Sequence, residues 1–165
     1  MSQSVLKNII NFILLVLVQT LILNNIQFLG FVNPCLYLLF ILSQPVRQSR
    51  VLTLILAFVL GITIDIFSNT LGMHAFATVF VAYIRIYVIH MLVSLDDGVN
   101  LIPTFKTFGI ASYIKYIAVI VVVHHSLLFF LEAFSFVNFI QVLIRIAASS
   151  VITILLIIGV RSLSR

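Results

Sequence analysis

Charge is scarce in this chain. Only 8% of its 165 residues are Asp, Glu, Lys or Arg, while 63% are apolar; globular domains run near ~25% charged and ~45–50% apolar. With a mean hydropathy of +1.32, so short a chain has too few polar groups to cover its hydrocarbon in water. That excludes a soluble fold and leaves an integral membrane protein, one compact unit over 1–165 without a soluble domain. The longest stretch unable to lie in lipid is about 94–107, so any activity takes place in the bilayer or at its surface. Cysteine is reduced to Cys35 alone, which excludes an internal disulfide and says nothing about compartment; it reads as a small buried hydrophobe. The apolar run after Lys7 lacks a small-x-small cleavage site, with Gln19-Thr20 and Asn24-Asn25 where one would be needed, so it reads as a retained first span. No repeat, low-complexity segment or Pro/Gly-rich linker divides the chain.

Catalytic signatures are lacking too. His124-His125 is the nearest approach to a metal site, but neighbours on a helix point about 100° apart, and neither HExxH nor an acidic cluster accompanies them. Nothing suggests an ordered Ser/His/Asp constellation. The reading is therefore no enzyme and no cofactor or metal, with polar packing for the two histidines. Nucleic acid is excluded as a partner, because no basic cluster exceeds two residues and no exposed segment interleaves basic with aromatic side chains.

What is present is a series of apolar runs. A bilayer core about 30 Å thick needs about 20 residues of helix, and the runs predict six spans at 8–23, 28–42, 51–67, 71–93, 108–131 and 136–160. The second is short and holds Asn33-Pro34, where the missing proline donor predicts a kink, a late start or a partly re-entrant course. Lys7, Arg47, Arg50, Lys106, Arg161 and Arg165 fall at the termini and in alternate loops, whereas the loops around 24–27, 68–70 and 132–135 carry no Lys or Arg. Cytoplasmic loops carry the excess of Lys and Arg, so both termini are expected in the cytoplasm, in agreement with an even span count. The net charge of +5 then lies mostly along one membrane face, where it favours anionic headgroups.

Ionisable groups inside spans are rare and face the bundle interior or a wet cavity. Asp65 stands near the outer end of the third span. In the fourth, His74, Thr78 and Arg85 share a face. In the sixth, Asn138, Gln141, Arg145, Ser149 and Thr153 form a stripe, and in the fifth His125 lies on the same face as Glu132. Two readings compete: interhelical glue with partner contacts, or a substrate or proton pathway. An unpaired Arg at mid-helix costs about 2.5–3.5 kcal/mol, so Arg145 is expected to pair with Glu132 or Asp65, and Arg85 to snorkel towards the cytoplasm.

The stretch Gly61-Ile62-Thr63-Ile64-Asp65-Ile66-Phe67, followed by Leu71-Gly72-Met73-His74-Ala75 and by Ala82-Tyr83, resembles the signature of the rod shape-determining MreD family. The fixed spacing of Gly61, Asp65 and Gly72 carries the likeness. Chain length, six spans and the upstream Asn33-Pro34 agree with it, and HHSLLFFLEAFSF resembles the version found in Bacteroidetes-type bacteria. The resemblance implies a multi-pass scaffold of the bacterial inner membrane in the elongation machinery for lateral peptidoglycan synthesis. It implies association with MreC, and indirectly with MreB, RodA and the elongation transpeptidase, and no catalytic activity. It also implies a helical arrangement similar to the substrate-binding component of energy-coupling-factor (ECF) transporters. That supplies an alternative, a vitamin-type small-molecule-binding subunit, which the very short outer loops disfavour. On the residues themselves, Gly61 and Asp65 share a helix face, glycine admits a close neighbour, and Asn69 or Thr70 is the natural N-cap of the next helix. Asp65 then meets the N–H groups of 72–74, or His74, as the clasp of a helical hairpin.

Overall fold

The computed structural model describes residues 3–25, 32–94, 101–134 and 139–163. Its elements are α1 (Gln3–Leu17), which runs on as a π-helical turn (Val18–Leu23), then α2 (Leu38–Leu42), α3 (Arg50–Ser68), α4 (Met73–Leu92), α5 (Phe105–Phe108), α6 (Ile110–Ala133) and α7 (Phe139–Leu163). Among the described residues five helices, α1 with its π turn, α3, α4, α6 and α7, are long and apolar enough to cross a membrane. Their outward faces are bare hydrocarbon: Val51, Ile66, Ile140 and Leu155 are each more than half exposed. Such a surface is stable against lipid and not against water. The chain is a helical, multi-pass membrane protein.

The bundle has two distinct ends. Lys7, Asn8, Ser43 and Arg161 line one cleft at what we term the basic end. Asn24, Ser68, Thr70 and Glu132 line another at the opposite end, where Asn24 Nδ2 donates to Ser68 Oγ at 2.9 Å. The start of α1 and the end of α7 therefore lie at the same end of the bundle. Between the two clefts the chain returns through 33–43, and this second passage departs from the helix read at 28–42. Residues 28–31 lie outside the described residues; of the rest of that run, Leu38–Leu42 alone is α-helical, and residues 33–37 are irregular or turn. Extended residues rise ~3.3 Å and helical ones ~1.5 Å; with 36–43 in turn or helix, these eleven residues reach roughly 20 Å, about two thirds of the hydrocarbon core.

Irregular backbone at membrane depth is tolerated only inside protein, because lipid offers no hydrogen bonds. That is where the second passage lies. Cys35, Tyr37, Leu38, Ile41 and Leu42 are fully buried, and α3, α4, α6 and α7 pack in sequence around the core they share with Tyr113, Tyr116 and Ile120. A second departure lies at 108, where the fifth span was expected to begin: Gly109, at φ 75°, separates α5 from α6. Thr104 opens α5 with a reciprocal capping box to Thr107. The predicted start of the last span, 136–138 with Asn138, lies outside the described residues, as does Arg165.

Candidate functional site

Three polar assemblies stand out among the described residues away from the basic end. The first is the α3–α4 hairpin. Asn69 ends α3 in the left-handed conformation, at φ 54° and ψ 42°, and Thr70 N–H returns to Asp65 O at 3.0 Å. The N-cap of α4 is Gly72 at φ 82°, which has no side chain to cap with. This corrects the expectation of Asn69 or Thr70 in that position. The cap comes from the preceding helix instead. Asp65 Oδ1 accepts from His74 N at 3.0 Å, and Oδ2 accepts from Ala75 N at 2.8 Å. Thr70 Oγ1 donates to Oδ1 at 2.5 Å, and His74 Nδ1 lies 3.0 Å from the same oxygen. Four donors thus converge on one buried carboxylate at the positive end of a helix, where negative charge is favoured.

Four residues before Asp65, Gly61 sets how closely the two helices approach. A Cβ there would run into Thr78 Oγ1 and the Ala75 backbone, the amide nitrogen at 2.7 Å. Thr78 Oγ1 in turn lies 3.0 Å from Ala57 O across the interface. Gly72 is required for a different reason: a Cβ there would meet no atom within 4 Å, so only its positive φ excludes other residues.

The second assembly surrounds the unwound backbone. Asn33 N donates to Ser149 Oγ at 3.1 Å, and Cys35 N donates to Thr153 Oγ1 at 3.0 Å. Gln19, in the π turn, receives Leu36 N at Oε1 and donates from Nε2 to Pro34 O, both at 2.9 Å. Its amide pairs with this segment as a neighbouring strand would. His125 Nε2 lies 3.3 Å from Asn33 O, and Leu38 N and Leu39 N satisfy the carbonyls of Cys35 and Leu36. Every backbone N–H and C=O from Asn33 to Leu36 has a partner, which is the complete accounting that burial demands. Tyr37 OH reaches His124 Nε2 at 3.0 Å.

The other end of the second passage is held by Arg85, only 3% exposed. Its Nε donates to Tyr116 OH at 2.8 Å, Nη1 to Pro45 O at 3.4 Å and Nη2 to Gln44 O. Arg85 therefore does not snorkel. It stays inside because the carbonyls that follow α2 need donors, and a cation at a helix C-terminus is favoured.

The third assembly is a cavity of about 430 Å³ at the end opposite the basic one. Glu132 and Arg145 stand at its rim in an ion pair of 3.1 Å, and both remain partly exposed; the guanidinium also lies 4.5 Å from the Phe129 ring centroid. His74 lines the floor, so the cavity opens directly onto the Asp65 clasp. The structure thus joins Gly61, Asp65, Gly72 and His74 in one hairpin, and brings Arg145 to Glu132 beside it. Tyr83 stands apart, exposed, with its ring 5.9 Å from Tyr87. Gln141 is exposed on α7 and joins none of these assemblies. Gln19, Tyr37 and Tyr116 were missed as partners in the sequence. A lone Gln in an apolar run was the one available signal, and the two tyrosines gave none. Among the described residues no group of three His, Cys, Asp or Glu side chains is placed to hold a metal ion.

No family model matches this chain, and no curated protein or solved structure matches it.

Proposed function

We propose that the chain is a non-catalytic membrane scaffold of the MreD type. In this reading it lies in the bacterial inner membrane with both termini in the cytoplasm. It binds MreC and links the MreB cytoskeleton, through MreC, to RodA and the elongation transpeptidase. The observation that carries the reading is how the motif residues are used. Both oxygens of Asp65 are taken by donors of its own chain, and Gly61 is filled by the facing helix. A motif spent on rigidity suits a part that holds others in register. The long α3–α4 surface, with Phe58, Phe76, Phe80 and Tyr83 lining an apolar groove, offers room for contacts in the bilayer. The test is twofold. Detergent extracts should yield a discrete complex with MreC, and clean deletion in the host should turn rods into spheres while purified wall synthases stay active. Retention of rod shape without a paralogue would overturn the assignment.

One observation favours a second reading, a small-molecule-binding subunit of ECF type. The cavity beside the Glu132–Arg145 pair, at about 430 Å³, falls within the ~300–1,000 Å³ typical of ligand pockets. Co-purification of a vitamin together with an ATPase partner would establish that reading over the scaffold.

A further inference from the structure

At the basic end, α1 and α7 do not close against one another. They leave a cleft of about 300 Å³ floored by the short passage through α2. Its chemistry changes with depth. Lys7, Asn8, Asn11, Ser43 and Arg161 supply the polar part, and Leu14, Leu15, Phe40 and Val160 the apolar part. On α1 the order follows from helical spacing: Lys7, Asn11 and Leu14 share a face at intervals of four and three residues, and so do Asn8, Asn11 and Leu15. The face passes from an ammonium through amides to leucine within about 10 Å of helix. Leu14 and its neighbour Ile10 are more than half exposed, so the apolar wall continues onto the lipid-facing surface.

Arg161 comes from the far end of the sequence and is pre-placed by a bond to Ser43 Oγ. Ser43 is itself fixed to the last turn of α2 through Leu39 O. Among the described residues no carboxylate lines the cleft. Two cations and the amides of Asn8, Asn11 and Gln44 therefore line one small volume whose lower wall is hydrocarbon. An anion with acyl chains fits both halves. A free phosphate would use only the upper one.

We propose that this cleft is a binding site for one anionic phospholipid, with its phosphate between Lys7 and Arg161 and an acyl chain along Leu14 and Val160. The site is independent of the scaffold assignment, since either function in a membrane would accommodate it. Near a membrane surface each cation contributes about 1 kcal/mol to holding an anionic lipid, which is about fivefold in affinity.

The test uses the full chain in detergent, with phosphatidylglycerol as the probe and phosphatidylcholine and glycerol 3-phosphate as comparisons. Retained lipid is read by native mass spectrometry and stabilisation by melting. Phosphatidylglycerol should be retained and should raise the melting temperature, whereas the other two should not. Lys7→Gln should weaken retention about fivefold, and Leu14→Trp, which fills the apolar wall, should abolish it. Lys106→Gln, at the same end but outside the cleft, should leave it unchanged. Arg161→Gln should act like Lys7→Gln; should it fail to fold after losing Ser43, the Lys7 and Leu14 variants decide. An equal loss with Lys106→Gln would overturn the proposal in favour of diffuse attraction. An equal shift with glycerol 3-phosphate, or full retention by Leu14→Trp, would overturn it as well.

Discussion

A carboxylate with four donors is strongly committed, and this favours the clasp among the two roles open to Asp65. A proton or ion site needs an oxygen free to exchange its ligand. Here Oδ1 is engaged by Thr70 and by both nitrogens of His74 within reach, and Oδ2 by Ala75. Charge-assisted bonds of this kind contribute about 1.5–3 kcal/mol. Asp65→Asn keeps one acceptor but turns an NH2 group towards existing donors, so detergent melting should fall modestly while partner binding persists. Asp65→Leu leaves the start of α4 and Thr70 without an acceptor and should reduce both folded yield and binding. A fully stable, partner-bound Asp65→Asn protein that fails in the cell would establish a charge-dependent function instead of a clasp. This part of the molecule was legible in the sequence because it is local: helical spacing joins Gly61 to Asp65, and a short polar turn brings the next helix start within reach. The true N-cap was not legible. The side chains that usually cap lay in the turn, but the positive φ of Gly72 moved the helix start past them.

At the scale of elements, the second passage was legible only in part. Asn33-Pro34 announced a kink or a late start, and α2 does begin only at Leu38. What the apolar run could not reveal is the source of the replacement hydrogen bonds. Ser149 and Thr153 were visible as a stripe on α7, but their partners are the backbone groups of Asn33 and Cys35, which every residue carries and no pattern marks. Arg85 was misread for the same reason, since its acceptors are the carbonyls of Gln44 and Pro45. Gln19→Leu removes the partners of Pro34 O and Leu36 N together, and each buried orphan costs about 1–3 kcal/mol. Melting should drop well beyond that of Thr63→Val, whose hydroxyl bonds only Val59 O in its own helix. Equal melting of the two variants would mean that the unwound segment is satisfied in some other way.

For the whole molecule, the topology turns on whether the unwound passage crosses the membrane. Five long helices alone would leave the two termini on opposite sides of a membrane. The passage through 33–43 adds a sixth transit of the bundle, which places Lys7 and Arg161 beside one cleft and the Asn24–Ser68 bond at the other end. Loop charge points the same way, since Arg47, Arg50 and Lys106 belong to the end that holds Lys7, and cytoplasmic loops carry the excess of Lys and Arg. Single cysteines can separate the alternatives, because Cys35 is fully buried and contributes little background. Lys7→Cys and Ser49→Cys flank α1 and the second passage; Ser49→Cys and the highly exposed Leu71→Cys flank α3. If 33–43 crosses, an impermeant maleimide should label Lys7→Cys and Ser49→Cys from the same side, the cytoplasm, and Leu71→Cys only from the other. If the segment merely dips and returns, Lys7→Cys and Ser49→Cys should label from opposite sides. That result would leave five crossings, and the cleft shared by α1 and α7 could not lie at one membrane face.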